Sequence, residues 1–267
     1  MTLISAVLCA LPVQAAVDLS GSATQREAIK THQGKGSLSE QSTVSVIRFR
    51  PTTPPPDRGT PRAPHGTGSR GDCSQSLDLP PLSQLVGSQG LELTVSEHPQ
   101  FWVYVPYAQP DVATAKFSLQ AGDTEVYQQA IQLPGTPGIV AIAMPTTLPP
   151  LEIDRSYQWY FELTCPQSDA TETPTPAAVT GKVQRIAPSA TLLASLAIAQ
   201  SPLETIEAYA ENQIWYETLA QLAQLRLSNP NEERLTEIWQ TLLSDPAVGL
   251  DRWATVPFAG ETVELEP

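Results

Sequence analysis

Between Leu91 and Ala187 the chain falls into short runs of β-branched and aromatic residues separated by Gly, Pro and Asp, the pattern of strands joined by turns. The runs predict strands over 91–95, 101–105, 115–120, 125–132, 138–144, 157–164 and 178–186. Alternation assigns their faces, because successive side chains on a strand point to opposite sides. Ala115, Phe117 and Leu119 share one side against Lys116, Ser118 and Gln120; Tyr157, Trp159, Phe161 and Leu163 repeat the rule against Gln158, Glu162 and Thr164. The run Phe101 to Val105 is apolar or aromatic throughout, so it is expected to be covered on both faces, as a central strand is. Gly122-Asp123 marks a hairpin turn. Seven such strands predict an immunoglobulin-like antiparallel β-sandwich over 73–187.

After Pro188 the period changes from two to that of a helix, over a region read as 188–250. Leu203, Ile206, Ala210 and Ile214 share one face, Leu219, Leu222, Ala223 and Leu225 another, and Leu235, Ile238, Trp239 and Leu242 a third. Ser201-Pro202 has the form of an N-cap followed by a first-turn proline, and Asn229-Pro230 ends one helix and starts the next. The expected fold class is therefore mainly β with α, a sandwich followed by a C-terminal helical hairpin. The stretch 209–230, with Trp215, Tyr216, Leu219, Leu222 and Asn229-Pro230, is similar to the second helix and linker of a tetratricopeptide repeat. It covers barely one repeat where a solenoid needs about three, so these helices are expected to pack on the sandwich or on each other.

Composition changes the picture at the N-terminal side. Residues 1–15 form an apolar run interrupted by Pro12 and ending in small residues, which reads as a secretory signal peptide without the basic residue that usually precedes one. The run is shorter than the roughly 18 to 20 residues of a membrane span. Residues 16–72 are polar and then rich in Pro and Arg, with too few apolar side chains to offset ordering entropy, and read as an extended basic arm. One exception is 43–49, where Val44, Val46 and Ile47 predict a short edge strand. Lys and Arg outnumber Asp and Glu 8 to 5 up to Asp72, and are outnumbered 7 to 23 from Cys73 onward. The overall net charge of −13 argues against a nucleic-acid surface. Residues 251–267 read as an acidic tail.

Removal of the leader takes Cys9 with it and leaves Cys73 and Cys165. In an oxidising compartment an even pair is most simply a disulfide, closing a loop of about 93 residues and contributing at most about 4 to 5 kcal/mol. Two cysteines are too few for a structural zinc site, and His32, His65 and His98 have no ligand spacing. No metal or cofactor is expected.

Motifs that could carry chemistry are few. Gly66, Gly68 and Gly71 match G-x-G-x-x-G, but in a proline-rich arm with no helix after them, where the amides could not face a pyrophosphate. Arg70-Gly71-Asp72 is an isolated adhesion tripeptide. His98 sits at a strand entrance. Glu152 with Asp154, and Asp123 with Glu125, are carboxylate pairs that a calcium site or a glycosidase could use, and that ordinary strand-end turns explain more simply. Most of the Trp and Tyr residues fall on core stripes; Tyr107 and Tyr160 are read as facing outward.

In order, the chain carries Arg70-Gly71-Asp72-Cys73, Phe101-Trp102-Val103-Tyr104-Val105-Pro106, Val126-Tyr127, Leu133-Pro134, Pro137-Gly138-Ile139-Val140, Tyr157-Gln158-Trp159-Tyr160-Phe161, Leu163-Thr164-Cys165, Gly181-Lys182-Val183-Gln184-Arg185 and Ile214-Trp215-Tyr216-Glu217-Thr218-Leu219. In this order of features, over about 58–243, it resembles the cyanobacterial family catalogued as domain of unknown function 928. The resemblance implies an exported, envelope-associated module whose shared cysteines match Cys73 and Cys165, and it implies no catalytic residue. The expected function is that of a non-enzymatic interaction or structural module of the periplasm, cell envelope or extracellular space, with another envelope protein as partner and no mature transmembrane helix. The rival is a carbohydrate-binding protein or hydrolase using a cleft between sandwich and helices, near Glu152, Asp154 or His98. In a further reading the helices from Trp215 to Trp239 bind a protein partner.

Overall fold

All seven runs form strands, with ends within two residues of those expected. The computed structural model describes residues 47–49, 80–86, 92–107, 112, 114–164 and 177–264, all of them within one compact unit, Thr43–Pro267. The leader at 1–15, the glycines and the Arg-Gly-Asp triplet of the arm, and both Cys73 and Cys165 lie outside the described residues. In chain order the strands are β1 (Ser83–Gln84), β2 (Glu92–Thr94), β3 (Gln100–Val105), β4 (Thr114–Ala121), β5 (Thr124–Gln132), β6 (Gly138–Ala143), β7 (Ser156–Thr164) and β8 (Ala177–Arg185). Four helices follow, α1 (Ala190–Ile198), α2 (Pro202–Glu211), α3 (Trp215–Ser228) and α4 (Glu233–Leu243), then a 3-10 turn at Asp251–Trp253 and strands β9 (Phe258–Glu261) and β10 (Val263–Glu264).

The protein is thus mixed α and β, with two sheets rich in antiparallel pairs. One has the order β1-β3-β6-β9 and the other β10-β5-β4-β7-β8-β2. The expectation of a wholly antiparallel sandwich needs correction at the edges, where β2 runs parallel to β8 and β9 parallel to β6. Both parallel strands are reached by long connections, which two-residue hairpin logic cannot anticipate. The expected hairpin is present: Ala121 pairs with Thr124 across Gly122-Asp123, and Gly122 takes the left-handed φ of 61° that a two-residue turn demands of its first residue.

Alternation works as read. Tyr157, Trp159, Phe161 and Leu163 of β7 are buried, and Ala115, Phe117 and Leu119 of β4 meet them in one core with Phe101, Val103, Val105, Val140 and Ile142 from the other sheet. The opposite face of the four-stranded sheet presents Trp102, Tyr104, Ile139 and Ala141 to a second core, built with Ile206 of α2, Trp215, Leu219 and Leu222 of α3, and Ile238, Trp239 and Leu242 of α4. This explains why β3 carries no polar interruption: both of its faces are covered, as expected. Two exposure readings were wrong. Tyr107 is buried in the inter-sheet core, continuing the 101, 103, 105 parity past the strand end. Ser118 is buried on the face opposite that core, between Gln128 and Tyr160 in the register of the sheet. Tyr160 itself is half-buried.

The C-terminal residues read as an acidic tail are, up to Glu264, structural. β9 pairs with β6 of the smaller sheet, and β10 pairs with β5 of the larger, so the chain crosses from one sheet to the other at Thr262, whose N–H donates to Ala141 O at 2.9 Å. Near the arm, the described residues 47–49 form no strand; Ile47 and Phe49 are instead buried in the helical core, with Phe49 edge-on to Trp215 at 5.1 Å.

Helix boundaries follow local chemistry. Ser189 and Ser201 cap α1 and α2 through their side chains, and Pro202 occupies the first turn of α2, as expected. Gln213, at φ 66°, separates α2 from α3. The first turn of α3 is the joint of the molecule. Trp215 faces the helical core, where its indole N–H donates to Leu85 O at 3.0 Å. Tyr216 enters the inter-sheet core, accepting from Trp159 Nε1 at 2.9 Å and donating to Lys182 O at 3.0 Å. Glu217 reaches the end of β2. Burial of side chains such as Trp215, Leu219, Trp239 and Leu242 is worth about 1.5 to 3 kcal/mol each, against a total stability of about 5 to 15 kcal/mol for a domain. The helices are therefore part of the fold and not an appendage.

Candidate functional site

Strand register gathers the carboxylates and the histidine singled out by sequence at one end of the two sheets. Thr94 pairs with Arg185, Ser156 with Gln184 and Gln120 with Gln158. The β2–β3 connection with Glu97 and His98, the β6–β7 connection with Glu152 and Asp154, and the β4–β5 turn with Asp123 and Glu125 consequently share that end.

The hydrogen bonds made there are those of a brace. His98 Nε2 donates to Leu148 O at 2.8 Å, so that nitrogen carries a proton and cannot serve as a general base. Arg185 donates to Leu151 O at 2.8 Å and pairs with Glu97 at 2.9 Å, while Leu151 N–H donates to Glu97 O at 3.0 Å. Glu152 is engaged by Arg155, whose guanidinium also lies 5.5 Å from the centre of the Tyr157 ring. Asp154 occupies a left-handed turn at φ 61°, its N–H donating to Arg185 O at 2.7 Å. Glu125 accepts from Gln128 at 2.9 Å. Glu97 is 59 % exposed, and an ion pair in such a setting contributes no more than about 1 kcal/mol. The bonds of Glu97, His98 and Arg185 hold the β2–β3 and β6–β7 connections to each other and to the end of β8, while Glu125 bonds within its own strand. Among the described residues, no group of three His, Cys, Asp or Glu could hold a metal ion, and no helix is long and apolar enough to cross a membrane.

Glu217, within the run Ile214 to Leu219, is a buried carboxylate held at the end of β2. One carboxylate oxygen accepts from Thr94 Oγ1 at 2.7 Å, Val95 N–H at 3.0 Å and Ser96 N–H at 2.8 Å. The other, Oε2, is buried with no hydrogen-bond partner. Loss of water around the group raises its pKa, and the three donors, all on one oxygen, offset this only in part. Tyr209, beside it on α2, is raised by its own burial and by the Glu217 charge.

Two surfaces remain open. In α1 only Leu192 is buried; Leu193 and Ile198 are 54 % and 73 % exposed. The stretch from Ile186 to Leu203 contains no charged residue. A groove of about 350 Å³ runs between Pro202 and Ile206 of α2 and Ala220, Gln224 and Leu225 of α3. On the far side of α3, Arg226 lies 5.1 Å from the Trp239 ring and 5.0 Å from the Phe258 ring, clamping β9 to the helices. The second opening, of about 330 Å³, lies between the sheets and is lined by Phe117, Tyr127, Ile131, Ile142, Pro145 and Thr262, among others. Neither opening is lined by Glu152, Asp154 or His98.

No curated protein and no solved structure matches the chain. A family model described as Domain of Unknown Function (DUF928) matches residues 65–258, a span that includes β1 to β8, α1 to α4 and the Trp215-Tyr216-Glu217 joint. The chain belongs to that family.

Proposed function

We propose that this chain is a non-enzymatic interaction module, exported to the periplasm or outer envelope of a cyanobacterium, that binds another envelope protein through α1 and the α2–α3 groove. In this reading the two sheets serve as an immunoglobulin-like frame, α2 and α3 act as a helical hairpin laid on it, and a Cys73–Cys165 bridge secures the arm. The observation that carries the proposal is α1. A nine-residue helix is too short to be stable in isolation, yet this one, capped by Ser189 and anchored by buried Leu192 and half-buried Leu196, keeps Leu193 and Ile198 in water. An acidic protein that keeps 18 consecutive uncharged residues at such a surface has the composition of a partner-binding patch. The brace of Glu97, His98 and Arg185 supports a non-catalytic role, since these polar groups are committed to backbone carbonyls and to one another.

The experiment is fractionation followed by cross-linking pull-down with the native chain and the double variant Leu193→Asp/Ile198→Asp. The native protein is expected in the envelope fraction with one stoichiometric partner. The variant is expected to lose at least about tenfold of that partner while its stability changes by no more than about 0.5 kcal/mol, as for exposed positions generally. Recovery of the chain in the cytosol, or undiminished capture of the same partner by the variant, would contradict the proposal.

A further inference from the structure

We infer that the opening between the two sheets is a binding site for a small, uncharged and mainly apolar molecule. Its floor is made by Phe117, Ile131 and Ile142, all of them members of the inter-sheet core, so the cavity reaches the core itself. Its rim carries Thr146, Thr147 and Thr262. None of the nine lining residues is charged, in a chain of net charge −13.

The topology explains why a gap exists there. At this margin of the sandwich the sheets are joined by the crossing at Thr262, where the chain leaves its pairing with β6 and joins β5. The β6–β7 connection forms the facing wall and is held by an internal turn, Leu148 N–H donating to Pro145 O at 3.2 Å, and by the β2–β3 connection, with Met144 N–H donating to Pro99 O at 3.2 Å and His98 to Leu148 O at 2.8 Å. The wall is therefore preformed, and a ligand need not order it on binding.

Size and chemistry then define the occupant. A volume of about 330 Å³ is at the small end of ligand pockets. An ionic group would lose water on a floor of Phe and Ile with no opposite charge to meet it. A sugar would find no partner on the Phe117, Ile131 and Ile142 side chains and would depend on the threonine rim, Tyr127 and backbone groups for all of its hydroxyls. A ring system or short hydrocarbon chain, entering apolar end first and leaving one donor or acceptor at the threonines, satisfies every wall.

Two dyes of one skeleton test this. N-phenyl-1-naphthylamine is neutral; 1-anilinonaphthalene-8-sulfonate adds a fixed negative charge. The native chain is expected to bind the neutral dye saturably at one site with a blue-shifted emission, and the sulfonate at least about tenfold more weakly. Thr147→Trp and, separately, Thr262→Trp fill the rim from two different segments, and each is expected to weaken the neutral dye at least about tenfold with an unchanged melting temperature. Leu193→Asp/Ile198→Asp, which removes the α1 surface, is expected to leave dye binding as it was, so this site and the partner surface fail or stand separately. Absence of saturable binding, equal binding of both dyes, or undiminished binding in both tryptophan variants would overturn the assignment.

Discussion

Replacing Gly181 by Val is expected to cost about 3 kcal/mol or more, read as a shift in the midpoint of urea unfolding. Gly181 lies opposite Trp159 in the β7–β8 pair, and a Cβ there would stand 2.5 Å from Cζ2 of the indole. The clash cannot be relieved at the tip of a flexible chain. Trp159 is fully buried, stacked near Phe117 at 6.2 Å and Phe101 at 5.6 Å, and its Nε1 donates to Tyr216. Displacing it combines overpacking, about 1 to 3 kcal/mol, with an orphaned indole donor worth a similar amount. Gly122→Ala is the informative comparison. Nothing lies within 4 Å of a Cβ at Gly122, so only its left-handed backbone is strained and the expected loss is about 1 kcal/mol.

Glu217→Ala is expected to cost about 3 kcal/mol at neutral pH, because Val95 N–H loses an acceptor and the buried Thr94 hydroxyl loses its charge-assisted one. Ser96 N–H keeps a partial substitute in Thr94 Oγ1 at 3.0 Å. The pH profile separates this group from ordinary carboxylates. Burial makes the folded state hold the Glu217 proton more tightly than the unfolded chain does. Stability from this site is therefore complete below the usual glutamate range and falls as pH rises through the raised folded value. Glu217→Gln keeps an accepting oxygen and removes the titration. Its stability is expected to match the native protein in acid and to exceed it above neutrality, and unfolding midpoints across pH 4 to 8 check the sign.

Much of this architecture is legible in the residues, and the parts that are not share a cause. β4 and β7 announce themselves by strict alternation over eight or nine residues, and β3 by an absence of polar side chains that only double coverage permits. β1, β9 and β10 contain two to four residues each, too few for any period to register. The crossing at Thr262 is concealed by Glu261 and Glu264, which look like tail chemistry and sit on strands whose pairing is decided by β6 and β5. α1 escapes for the opposite reason: apolar on nearly every side, it has no polar face to define a helical stripe. The position of the carboxylates and His98 at strand ends is legible in the residues, but only geometry shows that Glu97, His98, Glu125 and Glu152 are engaged there. Glu217 had no sequence signal, since its three donors come from residues 94–96, more than 120 positions away.

If Trp215, Tyr216 and Glu217 join sandwich and helices into one cooperative structure, the two must open together. Native-state hydrogen exchange under increasing denaturant measures this directly, by following amides of α3 and α4 alongside those of β3 and β7. A single unit predicts one shared free energy of opening for both sets, lowered equally in each by Tyr216→Phe. Exchange of the helical amides at a markedly lower free energy, with β3 and β7 still protected and the variant affecting only one set, would show two structures that merely touch.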